Sequence, residues 1–440
     1  MLLSLLLLFC WGSGAAPAAE SGGSGGSAEA GYYFSEATVL APDGQSFAGP
    51  LYLLLNRRGK IELAAEKPIN LPQKPPVVVE GALIVPHFVD GYSLIQERGL
   101  GGDDDETRTQ QRAMARYLTA LGVARVRDPI YPRSLLIPAW SGVTPVAQGG
   151  YLDMPDGGGA GFGVVLGDGE TFAALAQRLP ASGPITLWWR RPESGEPVPW
   201  TADLQRTRDL IHYFHAKGRK VGVWWQDARA PEIQLALSLP FDFFEGIPDY
   251  LNNNDLSLLY GRVWLPLAAL NDRRYCADGL AESLPQLGHL GLYEDDMVRR
   301  VLGRVGEVKR RIGPRCTIWR ERRPQVLAWL QQHLAAKQPV AVGSAGGHLF
   351  AFSGDIATEL ALWRELGADD GTVLRALYDH TPALLGMAPQ RLKLTAGQDA
   401  HFVVYRLKTN VSWSLPQLLT RIPGGVDYNF TGGQMVYAAP

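Results

Sequence analysis

The strongest constraint on this chain is the alternation, through its middle, of short apolar runs with amphipathic helical stretches. Runs of strand character occur at Ala124-Arg125-Val126-Arg127, Ile185 to Trp189, Val221 to Trp225, Phe241 to Phe244 and Pro339 to Val342. Between them, Ala202 to Lys217 places Leu204, Thr207, Leu210, Ile211 and Phe214 on one helical side, with Gly218 as the terminating residue. Pro231 suits the first turn of a helix over Glu232 to Leu237. Repeats of this kind predict parallel strands covered by helices. Their number favours a closed (β/α)8 TIM-like barrel over an open dinucleotide-binding sheet. The glycine-rich run Gly157 to Gly163 precedes an apolar strand rather than a helix, so it reads as a loop and not as a phosphate cradle.

The two ends have a different character. Residues 20–30 form a Gly/Ser/Ala linker, after which Ala37 to Leu40, Leu51 to Leu55 and Lys60 to Leu63 read as short strands. Asp43-Gly44 and Arg58-Gly59 supply the turns between them. Ala400 to Leu407 and Gln434 to Tyr437 repeat the pattern near the C-terminus. The expected architecture is therefore α/β: a barrel over 84–387 and a small β-sandwich module assembled from 31–83 and 388–440.

The 440 residues carry a formal net charge of -2, which gives no electrostatic footprint for nucleic acid. Leu2 to Trp11 is almost wholly apolar, too short to span a bilayer, and followed by small residues up to Ala19. This reads as a signal peptide over 1–19 and predicts an exported protein, periplasmic or secreted. The second reading is a lipoprotein signal with a lipid anchor at Cys10, although Phe9 is bulkier than the small residue such a site takes. No other apolar run is long enough for a transmembrane helix. Cys276 and Cys316 remain for the mature chain, and an oxidising compartment permits their pairing without requiring it.

Ala82-Leu83-Ile84-Val85-Pro86-His87-Phe88-Val89-Asp90-Gly91-Tyr92-Ser93-Leu94 reads as a buried strand that delivers a polar segment to the surface. It resembles the first barrel strand of the amidohydrolase superfamily, in the manner of imidazolonepropionase- and prolidase-like members, where Pro and Asp lead into His-x-His. Further fragments follow in the family's order. Leu121 to Asp128 is similar to its G-V-T-T-V-R-D segment, Asp242-Phe243-Phe244-Glu245 to D-x-I-E, Val342-Gly343-Ser344 to the segment ending in G-T-D, and Ala396 to Val404 to A-G-x-x-A-D-x-V-V.

The resemblance implies one or two divalent metals that acidify a bound water and polarise the scissile carbonyl. It also places the ligand positions. Tyr92 and Leu94 stand for His-x-His, Leu187 or a neighbour for the bridging Lys, Trp224 and Gly246 for two further histidines, and Ala345 for the catalytic Asp. None of these residues is an ordinary metal ligand, so the chain reads as a degenerate member, a pseudoenzyme with no metal cofactor; the alternative is zinc. Trp188-Trp189 and Trp224-Trp225 each close a strand, and alternation turns one ring of each pair inward beside Tyr92. These five aromatics are candidate binding residues, or fillers of the vacated centre. His348, Asp355 and Asp90 are candidate catalytic groups, with turn and loop hydrogen bonds as the plainer reading. His212 and His215, three apart on a helix, read as a solvated face. The expected function is binding or scaffolding toward a small molecule or protein partner; the alternative is hydrolysis of C–N bonds at the C-terminal ends of the strands.

Overall fold

Period-two patterning organises the β-rich ends. The computed structural model describes residues 30–71, 77–93, 116, 118–128, 144–145, 150–155, 157, 163–181, 183–192, 194–226, 228–248, 250–276, 316–344, 356–406 and 413–439. The expected signal peptide over 1–19, with Cys10, and Leu94, Ala345, His348 and Asp355 lie outside these residues.

Strands β1 (Ala30–Leu40), β2 (Phe47–Asn56), β3 (Ile61–Ala65), β4 (Val77–Glu80) and β5 (Ala82–Val85) come from the first part of the chain. They share one sheet with three strands from its end, whose order across the sheet is Gln434–Ala438, Tyr428–Thr431, Phe402–Arg406, β5, β1, β2, β3, with β4 on β1. The joint between the two chain ends is an antiparallel ladder in which Val403 faces Val85 and Arg406 faces Ala82. Alternation then sorts the side chains. Ala82 and Ile84 meet Phe34, Phe402, Val404 and Phe430 in one core, while Leu83, Val85, Val403 and Tyr405 point into the other. The sheet curls back on itself, with Ile61 N–H donating to Gln398 O at 2.8 Å and Ala400 N–H to Gly59 O at 2.8 Å. It is thus one curled sheet rather than the expected two-layer sandwich.

Only Pro86 and His87 separate β5 from the first parallel strand, β6 (Phe88–Asp90). The next strands are β7 (Val123–Val126), β8 (Thr144–Pro145), β9 (Tyr151–Asp153), β10 (Gly163–Val165), β11 (Ile185–Trp188), β12 (Val221–Trp224), β13 (Phe243–Glu245) and β14 (Val263–Leu265). Two parallel sheets result, β6-β7-β8 and β10-β9-β11-β12-β13-β14. Residues 339–342 join them. Ala341 N–H donates to Trp264 O at 2.8 Å on one side, and Gly91 N–H donates to Val342 O at 3.0 Å on the other. Among the described residues the arc does not close between β8 and β9, so the expected complete barrel is seen as a curved array of parallel strands.

The helices follow the sequence pattern. Leu204–Ala216 buries Thr207, Leu210, Ile211 and Phe214 against the strands, and Asp203 caps its start by accepting from Arg206 N–H at 2.8 Å. His215 on this helix pairs with Asp242 at 2.8 Å, outside the strands, and His212 is exposed. In the 370–384 helical run a wide turn over Ala376–His380 lets Thr381 Oγ1 accept from Val342 N–H at 2.9 Å and donate to Ala376 O at 2.6 Å. The 339–342 segment is thereby pinned from outside. Among the described residues no helix is long and apolar enough to cross a membrane.

Cys276 and Cys316 form a disulfide with Cα atoms 4.8 Å apart. Beside it, Asp272 accepts from Arg323 at 2.7 and 2.9 Å and from the Trp319 indole at 2.8 Å, so the helix Ala268–Tyr275 and the helix over 316–335 are stapled at one end. The bridge closes a sequence separation of 40 residues. A cross-link over such a loop contributes about 2–4 kcal/mol, largely by restricting the unfolded chain. Replacing both cysteines by serine should lower the unfolding free energy by that amount in denaturant titrations, and reductant should reproduce the loss in the unmodified chain.

Candidate functional site

Six strands or their ends send polar or aromatic side chains to a common interior. β13 contributes Glu245, whose side chain is fully buried and ion-paired with the equally buried Arg127, Nη2 to Oε1 2.6 Å. Arg127 follows β7 directly and also donates to Thr186 Oγ1 on β11 at 2.6 Å and to Gly91 O at 3.4 Å, while its guanidinium lies 5.4 Å from the Phe243 ring centroid. Thr186 passes the bond on to Glu245 Oε1 at 2.9 Å. Burial raises the Glu245 carboxyl above its ordinary range, opposed by Arg127 and by the hydroxyls of Thr186 and Tyr151.

Tyr151 on β9 lies 3.5 Å from Glu245 Oε2 and 3.0 Å from the Tyr92 hydroxyl. A phenol has one proton, so when Tyr151 donates to the carboxylate it accepts from Tyr92. Above this chain of hydroxyls sits an aromatic layer. Tyr92 stacks on Trp224 with centroids 5.5 Å apart, Trp224 stacks on Trp188 at 5.8 Å, and Tyr151 meets Trp188 edge-on at 5.0 Å. None of the four rings is more than 8% exposed.

Asp90, at the end of β6, is fully buried. Its Oδ1 accepts from Tyr92 N–H at 3.1 Å and from Ser344 N–H at 2.9 Å, and its Oδ2 accepts from the Ser344 hydroxyl. Burial pushes its carboxyl up to about 6 against the three hydrogen bonds. Gly343 is required beside it, because a Cβ there would lie 2.7 Å from Tyr92 Cβ.

The sequence-predicted residues separate into three groups. Tyr92, Trp188 and Trp224 come together. Trp189 and Trp225 do not join them; they lie in the helix-facing core, donating to Glu232 O and Gly246 O at 3.0 Å each. Leu187, taken as the stand-in for the bridging Lys, also faces the helices, and the inward positions of β11 are Thr186 and Trp188. Asp90 belongs to the site as a hydrogen-bond anchor. The other two catalytic candidates, His348 and Asp355, lie outside the described residues.

Tyr151, Arg127, Glu245 and Ser344 are additions that sequence reasoning passed over. A charged residue at the end of an apolar run, Arg127 or Glu245, was the available signal.

The metal that the resemblance implies does not fit the residues present. Tyr92 and Trp224 occupy two ligand positions, and Trp offers no ligand atom. Gly246, at another, has no side chain to offer a metal, and its φ of +80 would strain any residue put in its place. Among the described residues no group of three or more His, Cys, Asp or Glu side chains is placed to hold a metal ion.

Removing one member of a buried ion pair leaves the other charged and desolvated, a loss of about 3–5 kcal/mol. Arg127→Met should therefore destabilise the chain by about that much in urea unfolding. Adding Glu245→Leu should recover a large part, which a double-mutant cycle measures directly.

No family model and no curated protein matches the chain. Solved structures do match. A Xaa-Pro dipeptidase with methionine bound in its active site aligns with a TM-score of 0.64 at 14% identity, over 93% of this chain and 100% of that one. Ochratoxinase of A. niger aligns with a TM-score of 0.61 at 14% identity, over 93% and 96%. A bottromycin amidohydrolase aligns with a TM-score of 0.60 at 16% identity, over 92% and 86%. At these identities the likeness speaks to architecture alone. With its parallel strands and its sheet built from both chain ends, the chain has the amidohydrolase-superfamily fold.

Proposed function

We propose that this chain is an exported protein of amidohydrolase fold, a closed barrel with an accessory β-module, that has lost metal-dependent hydrolysis and acts by binding or scaffolding. One observation carries the reading. Where metal and substrate would sit, Tyr92, Trp188, Trp224 and Tyr151 pack on one another and are almost wholly buried. Stacked rings satisfy each other's faces and exclude the water a hydrolytic metal activates. Export is supported by the apolar N-terminal stretch ahead of small residues and by the Cys276–Cys316 disulfide, a bond that persists in oxidising compartments.

A second reading, hydrolysis of non-peptide C–N bonds at the same end of the strands, is favoured by Asp90. A carboxyl held at about 6 exchanges its proton close to neutral pH, as a general acid or base must. The two readings separate experimentally. Elemental analysis of the purified mature protein should find zinc well below one equivalent, and acyl-amino-acid substrates should stay intact. Stoichiometric zinc with chelator-sensitive turnover would overturn the proposal, and turnover abolished by Asp90→Asn in a folded protein would establish the second reading. Trp224→Ala removes a ring from the packed layer and should cost about 3–5 kcal/mol of stability in thermal unfolding.

A further inference from the structure

The short connection between the curled sheet and the parallel strands carries a buried histidine whose protonation state the structure determines. His87 Nε2 lies 2.8 Å from Asn429 Oδ1. The Asn429 amide is oriented by its own nitrogen, which donates to Thr119 O at 2.8 Å, so its oxygen is an acceptor. Thr431 Oγ1, 3.3 Å from that oxygen, is placed to donate to it as well. His87 must therefore carry its proton on Nε2, and its Nδ1 holds a lone pair. That Nδ1 is buried and, among the described residues, has no hydrogen-bond partner.

The surroundings offer a second proton there no compensation. The His401 ring lies 4.4 Å from the His87 ring, centroid to centroid, and the Arg125 guanidinium on β7 acts on His401 electrostatically. Asn429 and Thr431 are neutral, and among the described residues no carboxylate pairs with either ring. Burial and the neighbouring His401 together hold His87 down to about 3, with the Asn429 hydrogen bond opposing.

We propose that His87 and His401 form a proton-sensitive joint between the curled sheet and the parallel strands, closed while His87 is neutral and loosened when it takes a second proton. The joint includes Thr119–Asn429 and the adjacent Val426 N–H to Ala120 O bond at 2.7 Å. Loosening stays local, because Leu83, Val85, Val403 and Val426 bury a continuous apolar seam beside it that a proton does not alter.

The sign follows from linkage. An unfolded histidine titrates near 6.5, so below that value the unfolded state binds a proton that the folded state refuses. The stability contributed by neutral His87 is complete above that value. It is lost as pH falls from there toward 3, at up to tenfold in the folding equilibrium per pH unit.

The test uses the full mature chain. His87→Gln supplies a donor toward Asn429 without a titrating ring. Between pH 6.5 and 4.5 the unmodified protein should lose up to about a hundredfold in folding equilibrium relative to His87→Gln, and exchange at the Val426 amide should quicken correspondingly after correction for intrinsic rates. Parallel pH profiles for the two proteins would overturn the proposal. A second measurement does not depend on the variant folding: in the unmodified protein, the NMR shifts of the His87 ring should stay those of the Nε2–H neutral form down to pH 4.5. Titration of that ring near 6.5 would also overturn it.

Discussion

Two opposite charges with no access to solvent, on Arg127 and Glu245, set the terms for the interior of the parallel strands. Desolvating them costs several kcal/mol per ion, which the fold offsets with a set of close partners around the pair. Thr186 bridges the pair, Tyr151 reaches the second carboxylate oxygen, Gly91 O accepts a hydrogen bond from the guanidinium and the Phe243 ring lies against the cation. These partners come from β9, β11 and β13, from β7 through Arg127 and from the end of β6. Satisfying one ion pair thus fixes how five strands sit relative to one another.

The aromatic layer follows from that base. Tyr92 joins it through the Tyr151 hydroxyl, and its backbone is held by Asp90, which also grips Ser344. With Tyr92 so placed, Trp224 and Trp188 stack in sequence, and Gly343 leaves room where any side chain would collide. Rings that bury one another's faces are stable without a ligand or a metal. Burial pushes the Asp90 carboxyl up to about 6, toward neutral pH, and raises the Glu245 carboxyl as well.

The periphery is tied by other means. The final strands of the chain pair with β5, the Cys276–Cys316 bridge and Asp272 staple two helices, and Thr381 pins the 339–342 segment by a hydroxyl that both accepts and donates. The junction at Pro86 and His87 is different in kind. There the contacts are between neutral polar groups, and their strength depends on keeping a proton out.

Much of the backbone was legible in the residues. Periodicity marks the 204–216 helix because Leu210, Ile211 and Phe214 must share a face to be buried, and apolar runs mark β11 and β12 because both of their faces are covered. Phe241 to Phe244 was less well read. The strand is Phe243–Glu245, and its last residue is a charge that a linear pattern assigns to a loop. Only Arg127, 118 positions earlier in the chain, makes Glu245 tenable inside. Alternation said that one tryptophan of each pair turns inward. Which one was decided by the ladders that place Trp188 beside Trp224 and Trp224 beside Glu245. By itself, then, the sequence determined the strand–helix repeat, the covered sheet and the absence of ordinary ligands at Tyr92, Trp224 and Gly246. The tertiary structure alone decided what fills the centre, because ion pairing and ring stacking depend on distances between residues that are remote along the chain.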